Sequence, residues 1–181
     1  MKFRTYSDEG IILARRNFGE ADRILSIYTK NHGRVSAIAK GIRRTTSKKR
    51  GHLEVFSYIK FQITDGHGIG ILTEVDTINN FEGIRKDLKK VSLAYFFTEV
   101  IGKITREHER NDGIFELTLN YLEKLQFETA LRSLRMNFIL ELLTITGFWP
   151  KGKKLASPDE RLEEVIERGI NSIRVGRKVL R

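Results

Sequence analysis

Short apolar runs separated by glycine turns fill the first 80 residues, and longer helical stripes replace them after Phe81. Residues 10–14 and 23–28 are apolar runs separated by Asn17-Phe18-Gly19-Glu20, and Asn31-His32-Gly33 reads as a tight turn. Residues 34–40 alternate polar and apolar, the period of a half-buried strand. From Val55 to Ile63 the alternation is cleanest, with Tyr58, Lys60 and Gln62 on one face and Val55, Ile59, Phe61 and Ile63 mostly on the other. A glycine-rich turn, Asp65-Gly66-His67-Gly68, separates it from a last run at 69–75.

After Phe81 the period lengthens. The stretch from Leu88 to Ile104 is apolar over a wide arc, which predicts a buried helix. Ile114 to Leu125 and Ala130 to Thr146 carry further helical stripes, with Gly147 placed as a C-terminal cap and Pro150 as a stop. Lys151-Gly152-Lys153-Lys154 reads as a linker, and Ser157-Pro158-Asp159-Glu160 as the start of a short helix ending near Gly169. Residues 170–181 are basic, with little pattern. The expected architecture is a small β-barrel, for which the OB-fold is the commonest form with a nucleic-acid role, followed by an all-α bundle. The expected segments are 1–80 for the barrel, 81–150 for the helices and 151–181 for a basic tail with a short helix.

Charge turns this outline towards an anionic partner. The chain of 181 residues carries a net charge of +10, and excess positive charge favours nucleic acid or a membrane surface. The distribution is uneven: residues 1–80 hold 14 Lys/Arg against 8 Asp/Glu, residues 81–150 hold 10 of each, and residues 151–181 hold 9 against 5. No apolar run approaches the roughly 18 residues that span a bilayer, the start lacks the apolar stretch of a secretory signal, and cysteine is absent. These features fit a cytoplasmic protein without disulfides or thiolate metal sites.

Between Asp22 and Glu54 there is no acidic residue, yet Arg23, Lys30, Arg34, Lys40, Arg43, Arg44, Lys48, Lys49 and Arg50 all fall there. The densest part, Lys40 to Arg50, also holds glycines, threonines and a serine, and reads as a basic loop between two strands that can wrap phosphates. A solvated charge run is the alternative, but solubility needs charge of either sign and this segment excludes one. No amphipathic basic helix accompanies the loop, so a membrane surface is the weaker match. Among nearby aromatics, Phe56 lies off the apolar alternation, so it or Tyr58 is expected to face outward for base stacking, whereas Phe18 and Tyr28 read as core.

Signals for catalysis are poor. His32, His52, His67 and His108 have no ligand spacing. The Gly66–Gly70 stretch lacks the lysine and helix start of a phosphate loop and suits a hairpin. Glu107 and Glu109 flank His108 near a helix end, where an exposed terminus explains them.

Several motifs in one order resemble the RecO family of recombination mediators. They are Glu9 to Leu13, then Gly19-Glu20-Ala21-Asp22-Arg23-Ile24-Leu25, then His32 to Gly41, then Arg43-Arg44 and Arg50-Gly51-His52-Leu53-Glu54. The resemblance is strongest over residues 9–80, and the ending Leu142-Leu143 followed by Gly147-Phe148 extends it into the helices. It implies an amino-terminal OB-fold and a central helical domain. It also implies binding of single- and double-stranded DNA, strand annealing, and recombinase loading onto strands coated by single-strand-binding protein. The partners it implies are a RecR-like protein and the acidic tail of single-strand-binding protein; the setting is DNA repair at the nucleoid.

Carried onto this sequence, Arg34, Lys40, Arg43, Arg44 and Arg50 are the DNA-contact candidates, with Arg23, Lys48 and Lys49 joining them from the basic run. Arg132 and Arg135 are expected to edge an apolar groove for the acidic tail, the alternative being a solvated helix face. Many family members carry a four-cysteine zinc module after the Gly-Phe/Tyr-x-Pro turn; this chain has no cysteine there, so neither metal nor cofactor is expected. The reading is a non-enzymatic DNA-binding mediator, with a protein-docking scaffold of the repair machinery as the alternative.

Overall fold

The computed structural model of the chain describes residues 4–44, 53–65 and 68–166. Five strands, β1 (Arg4–Phe18), β2 (Asp22–Thr29), β3 (Gly33–Ala39), β4 (Tyr58–Asp65) and β5 (Gly70–Asn79), close into a barrel in the order β1-β2-β3-β5-β4. All pairings are antiparallel except β3 with β5. This is the arrangement of an OB-fold. Ile12, Leu25, Ile27, Val35, Ile59 and Phe61 fill the interior, none more than 2% exposed.

β1 is far longer than its apolar run because it serves two neighbours, pairing with β4 through Arg4–Ile11 and with β2 through Gly10–Phe18. A bulge interrupts it between Ile12 and Ala14. Ile12 lies opposite Ile27, but Arg15, three residues later, lies opposite Leu25. Ile27 and Leu25 both point into the core. Inward positions on β1 are therefore even before the bulge and odd after it, the expected effect of one extra residue in a strand. Ala14, Arg16 and Phe18 consequently emerge on the outer surface, where all three are exposed.

One aromatic expectation is overturned here, and one branch of another: of Phe56 and Tyr58, only the half-buried Tyr58 keeps appreciable exposure. Phe18 is 48% exposed, whereas Phe56 is only 1% exposed. The strand expected from Val55 starts at Tyr58, because residues 55–56 form a turn whose backbone docks on β1. There the Phe56 amide donates to the Ile12 carbonyl at 2.7 Å, and the Ile12 amide donates to Ser57 O at 3.1 Å. Tyr28 is buried as expected.

The end of the barrel at the β2–β3 turn is closed by a buried carboxylate. The Asp8 side chain, fully shielded from solvent, accepts bonds from the Glu9 amide (2.8 Å), the Asn31 amide (3.1 Å) and Asn31 Nδ2 (2.8 Å), and meets His32 Nδ1 at 2.7 Å. Tyr6 packs against His32, with ring centroids 4.4 Å apart and the planes tilted by 41°. Burial, helped by the charges of Asp65 and Asp8, pushes the Tyr6 phenol up to about 12.

The chain divides into two compact units, Met1–Asn80 with Thr105–Asn111, and Phe81–Ile104 with Asp112–Arg181. In this division residues 105–111 join the barrel. They run alongside β3: the His108 amide donates to Arg34 O (2.9 Å), Ser36 Oγ to Glu107 Oε1 (2.9 Å), and Tyr28 Oη to Asn111 O (3.3 Å). Gly33 makes this strap possible. It adopts φ +67, and a Cβ there would lie 2.3 Å from Glu109 O.

The second unit consists of α1 (Glu82–Arg85), α2 (Leu88–Ile104), α3 (Asp112–Phe127), α4 (Leu131–Ile145) and α5 (Pro158–Ile166). Its centre is aromatic, with Phe97 4.2 Å and Tyr121 5.3 Å from Phe138 between ring centroids. The Tyr121 hydroxyl donates to Glu141 Oε1 at 2.8 Å, and burial together with that bond holds its phenol well above the usual tyrosine range. α5, expected as part of a tail, is clamped to α4 by Arg135. Its guanidinium reaches both carboxylate oxygens of Asp159 (2.5 and 2.9 Å) and lies 4.3 Å over the Phe96 ring. No helix among the described residues is long and apolar enough to cross a membrane.

Gly33→Ala is expected to lower barrel stability by about 2 kcal/mol or more, since it combines a left-handed backbone with a backbone clash; a urea midpoint equal to wild type contradicts this. Tyr6 sets an alkaline limit. The unfolded chain ionises this phenol near pH 10 and the folded chain retains the proton until about pH 12, so the unfolded state binds fewer protons in that window and stability falls as pH rises through it. Urea melts from pH 9 to 12 are expected to show a shallower decline for Tyr6→Phe than for wild type.

Candidate nucleic-acid interface

The basic turn after β3 is fixed to the β1–β2 hairpin. Gly41, at φ +65, donates its amide to Asp22 Oδ1 at 2.7 Å. The Arg43 amide donates to Ala21 O at 2.9 Å, the Arg44 amide to Gly41 O at 3.1 Å, and Arg43 Nη1 to Gly19 O at 3.3 Å. Asp22, the last acidic residue before the basic run, is thereby engaged with a backbone amide of the same turn that carries the cations. Lys40, Arg43 and Arg44 are all exposed.

The hairpin to which they are tied supplies Arg16 and Phe18. Phe18 lies opposite Asp22 on the β1–β2 ladder, and Arg23, the next residue, lies opposite Ala39 on the β2–β3 ladder. Phe18 is thus about two strand spacings, roughly 10 Å, from Lys40 across the outer surface. Arg16 stands two residues back along β1 on the same face, and neither Arg16, Lys40 nor Arg44 is paired with a carboxylate among the described residues. The sequence alone does not single out Arg16, because it lies before the acid-free stretch, nor Phe18, because uninterrupted alternation from Ile12 puts it inside. The local string Arg15-Arg16-Asn17-Phe18 before a glycine turn is the signal that was available.

The other predicted contacts do not all gather here. Arg34 lies at the opposite end of β3, six residues or about 20 Å from Lys40, half-buried beside the strap, and its Nε has no hydrogen-bond partner. Arg23 is half-buried with the inward parity of Leu25 and Ile27. Lys48, Lys49 and Arg50 lie outside the described residues. Other nearby cations are engaged: Arg15 pairs with Glu54, and Lys30 lies 3.8 Å from Glu9, which also accepts the Tyr58 hydroxyl at 2.6 Å. On the β4–β5 side, outward Glu74 and Asp76 sit opposite Gln62 and Lys60, so the barrel is cationic on one side and mainly acidic and polar on the other.

In the helical unit, Arg132 and Arg135 part company. Arg135 is committed to Asp159 and Phe96, with a side chain only 15% exposed. Arg132 is exposed and, with Lys89 and Thr129–Ser133, lines an open hollow of about 330 Å³. Beside it, Glu128 accepts the Ala130 and Thr129 amides, both at 2.8 Å, which hold its carboxyl below the usual range. A second hollow of about 470 Å³, mainly apolar, is lined by Leu140, Glu141, Thr144 and Ile145 and rimmed by Lys151, Lys153 and Lys154. Among the described residues no His, Asp and Glu group is placed to hold a metal ion.

Comparison with known proteins gives these surfaces a family. The family model described as recombination protein O N terminal matches residues 1–81, and recombination protein O C terminal matches residues 85–165. The chain belongs to the RecO family. Curated relatives of this family named DNA repair protein RecO include one from Dehalococcoides mccartyi (strain ATCC BAA-2266 / KCTC 15142 / 195), 33% identical over 157 residues, 87% of this chain and 62% of the relative. One from Rubrobacter xylanophilus is 34% identical over 148 residues (81% and 59%), and one from Roseiflexus sp. is 30% identical over 168 residues (93% and 59%). The chain spans about 60% of the length of these RecO relatives.

Proposed function

We propose that the chain acts in DNA repair and recombination as a strand-holding module, which promotes annealing and recombinase loading onto DNA coated by single-strand-binding protein. The observation that carries this reading is the exposed Lys40, Arg43 and Arg44 set on a turn bonded to the β1–β2 hairpin. Lys48, Lys49 and Arg50 extend the same cationic run in sequence, and Arg23 adds to the positive field from a half-buried position, whereas Arg34 lies at the far end of β3. The cations meet phosphates, releasing condensed counterions. Two complementary strands repel as polyanions, so a strand whose phosphates are partly neutralised approaches its complement at lower cost, and annealing needs no covalent step.

The family reading adds a RecR-like protein and the acidic tail of single-strand-binding protein as partners. For the tail, the lysine-rimmed hollow at Leu140, Ile145 and Lys151–Lys154 is the better match than the Arg132–Arg135 pair, because its three lysines outnumber its one carboxylate, Glu141, which accepts the Tyr121 hydroxyl, while Arg135 is committed to Asp159. The same hollow favours the scaffold reading, in which protein docking dominates and DNA contact assists.

Two measurements separate these. In a salt series of single-strand binding, Lys40→Ala/Arg43→Ala/Arg44→Ala is expected to weaken affinity and reduce the slope of log K against log salt by about 0.7 for each phosphate left without its cation. An unchanged slope removes the phosphate role of the turn. For a peptide copying the acidic tail, charge reversal at Lys151, Lys153 and Lys154 is expected to weaken binding at least about tenfold, as rim charges of one sign are replaced by the other. If Arg132→Glu has that effect instead, the tail site lies at the smaller hollow.

A further inference from the structure

The geometry points to Phe18 as a base-stacking residue that makes this face select single strands over duplex. The inference rests on the proposed phosphate contacts of the Lys40–Arg44 turn and adds the element those contacts lack, a way to recognise an unpaired base.

Phe18 ends β1 on the outer surface with 48% of its area open to solvent. A barrel strand end has an inner side available for a phenyl ring, and the Ile12/Ala14 bulge turns this ring away from it. Cations of two different elements lie on its own strand and on the turn bonded to its hairpin. Arg16 lies on its own strand, and Lys40, Arg43 and Arg44 lie on the turn that bonds directly to Gly19, Ala21 and Asp22, the residues immediately following it. The hairpin carries two carboxylates: Glu20, exposed at its turn, and Asp22, which accepts the Gly41 amide and so helps to fix the turn beside the ring.

An aromatic face flanked by guanidinium and ammonium groups matches the chemistry of a nucleotide in a single strand. The base has an open π-face to lay on the ring, and the phosphates on either side reach the cations. In a duplex the base faces are occupied by their neighbours in the stack, so the ring gains nothing from it and only the phosphate contacts remain. Stacking of this kind reads no base-edge pattern, so the strand is held without sequence preference.

Binding of oligo(dT) and of a blunt duplex of equal length to the full chain, measured by fluorescence anisotropy, tests the assignment. Phe18→Ala is expected to weaken single-strand binding by roughly 5- to 100-fold, the range for removing one stack, with duplex binding changed less than about twofold and the single-strand salt slope unaltered. Phe18→Trp, made with Trp149→Phe so that position 18 carries the one indole, is expected to retain single-strand affinity, and its fluorescence to be quenched on adding oligo(dT). Equal losses for single strand and duplex in Phe18→Ala, no loss for either, or an indole at position 18 that oligo(dT) leaves unquenched, each overturn the stacking role. The Lys40/Arg43/Arg44 alanine variant reports separately on the phosphate contacts. If it binds like wild type while Phe18→Ala is impaired, the phosphate reading fails and the ring contact stands.

Discussion

One extra residue in β1 governs what the outer surface of the barrel can do. A strand sends alternate side chains to opposite faces, so a single-residue slip exchanges the two sets completely. Without the bulge between Ile12 and Ala14, the even parity of Tyr6, Asp8, Gly10 and Ile12 would carry Arg16 and Phe18 to the interior. With it, Arg15 and Asn17 take the inward parity at the barrel mouth, where Arg15 finds Glu54. The backbone of residues 56–57 docks at Ile12, beside the irregularity. The cation and the ring on the outside are therefore consequences of a backbone feature, not of local hydrophobicity.

The two ends of the barrel are built for different purposes. At the β2–β3 turn, Asp8 gathers the polar groups of residues 31–32, and Gly33 admits the strap whose Glu107 and Glu109 bring negative charge to that side. At the β1–β2 hairpin, the carboxylate of Asp22 bonds a backbone amide of the turn on which Lys40, Arg43 and Arg44 are exposed. Sequence counts give one cationic stretch from Arg23 to Arg50, but the strand runs its length between the two ends and delivers Arg34 to one and Lys40 to the other. Linear charge density becomes a surface field only after the strand direction is known.

That explains which parts were legible from the residues alone. Periodicity gave the β-then-α order, and α2 runs from Leu88 to Ile104 as its wide apolar arc predicts. The barrel followed from five short runs with glycine turns. What periodicity cannot supply is the phase of a strand after an irregularity, and so Phe18 read as core, the reverse of what is found, and Phe56 stood beside Tyr58 as a residue to face outward although it is buried. Nor can it supply partners distant in sequence: Arg135 reads as a surface arginine until Asp159, twenty-four residues on, is brought against it, and residues 105–111 read as a helix end until Gly33 receives them. The cations of the Lys40–Arg44 turn were legible because a turn beyond a strand end is exposed in most folds, whatever the register.

A strand-holding surface for annealing has to bind without blocking the pairing edges of the bases. Major-groove readers satisfy the opposite requirement, placing bidentate side chains against those edges. On the proposed reading Arg16, Lys40, Arg43 and Arg44 serve phosphate and Phe18 serves one base face. A base resting on Phe18 keeps its Watson–Crick edge pointing sideways, free for a complement. Once the complement pairs and the duplex stacks, the base leaves the ring and only the salt-sensitive phosphate contacts remain. On the proposed reading the product is held less tightly than the substrate by about the value of one stack, and that difference gives the face a physical reason to release what it has annealed.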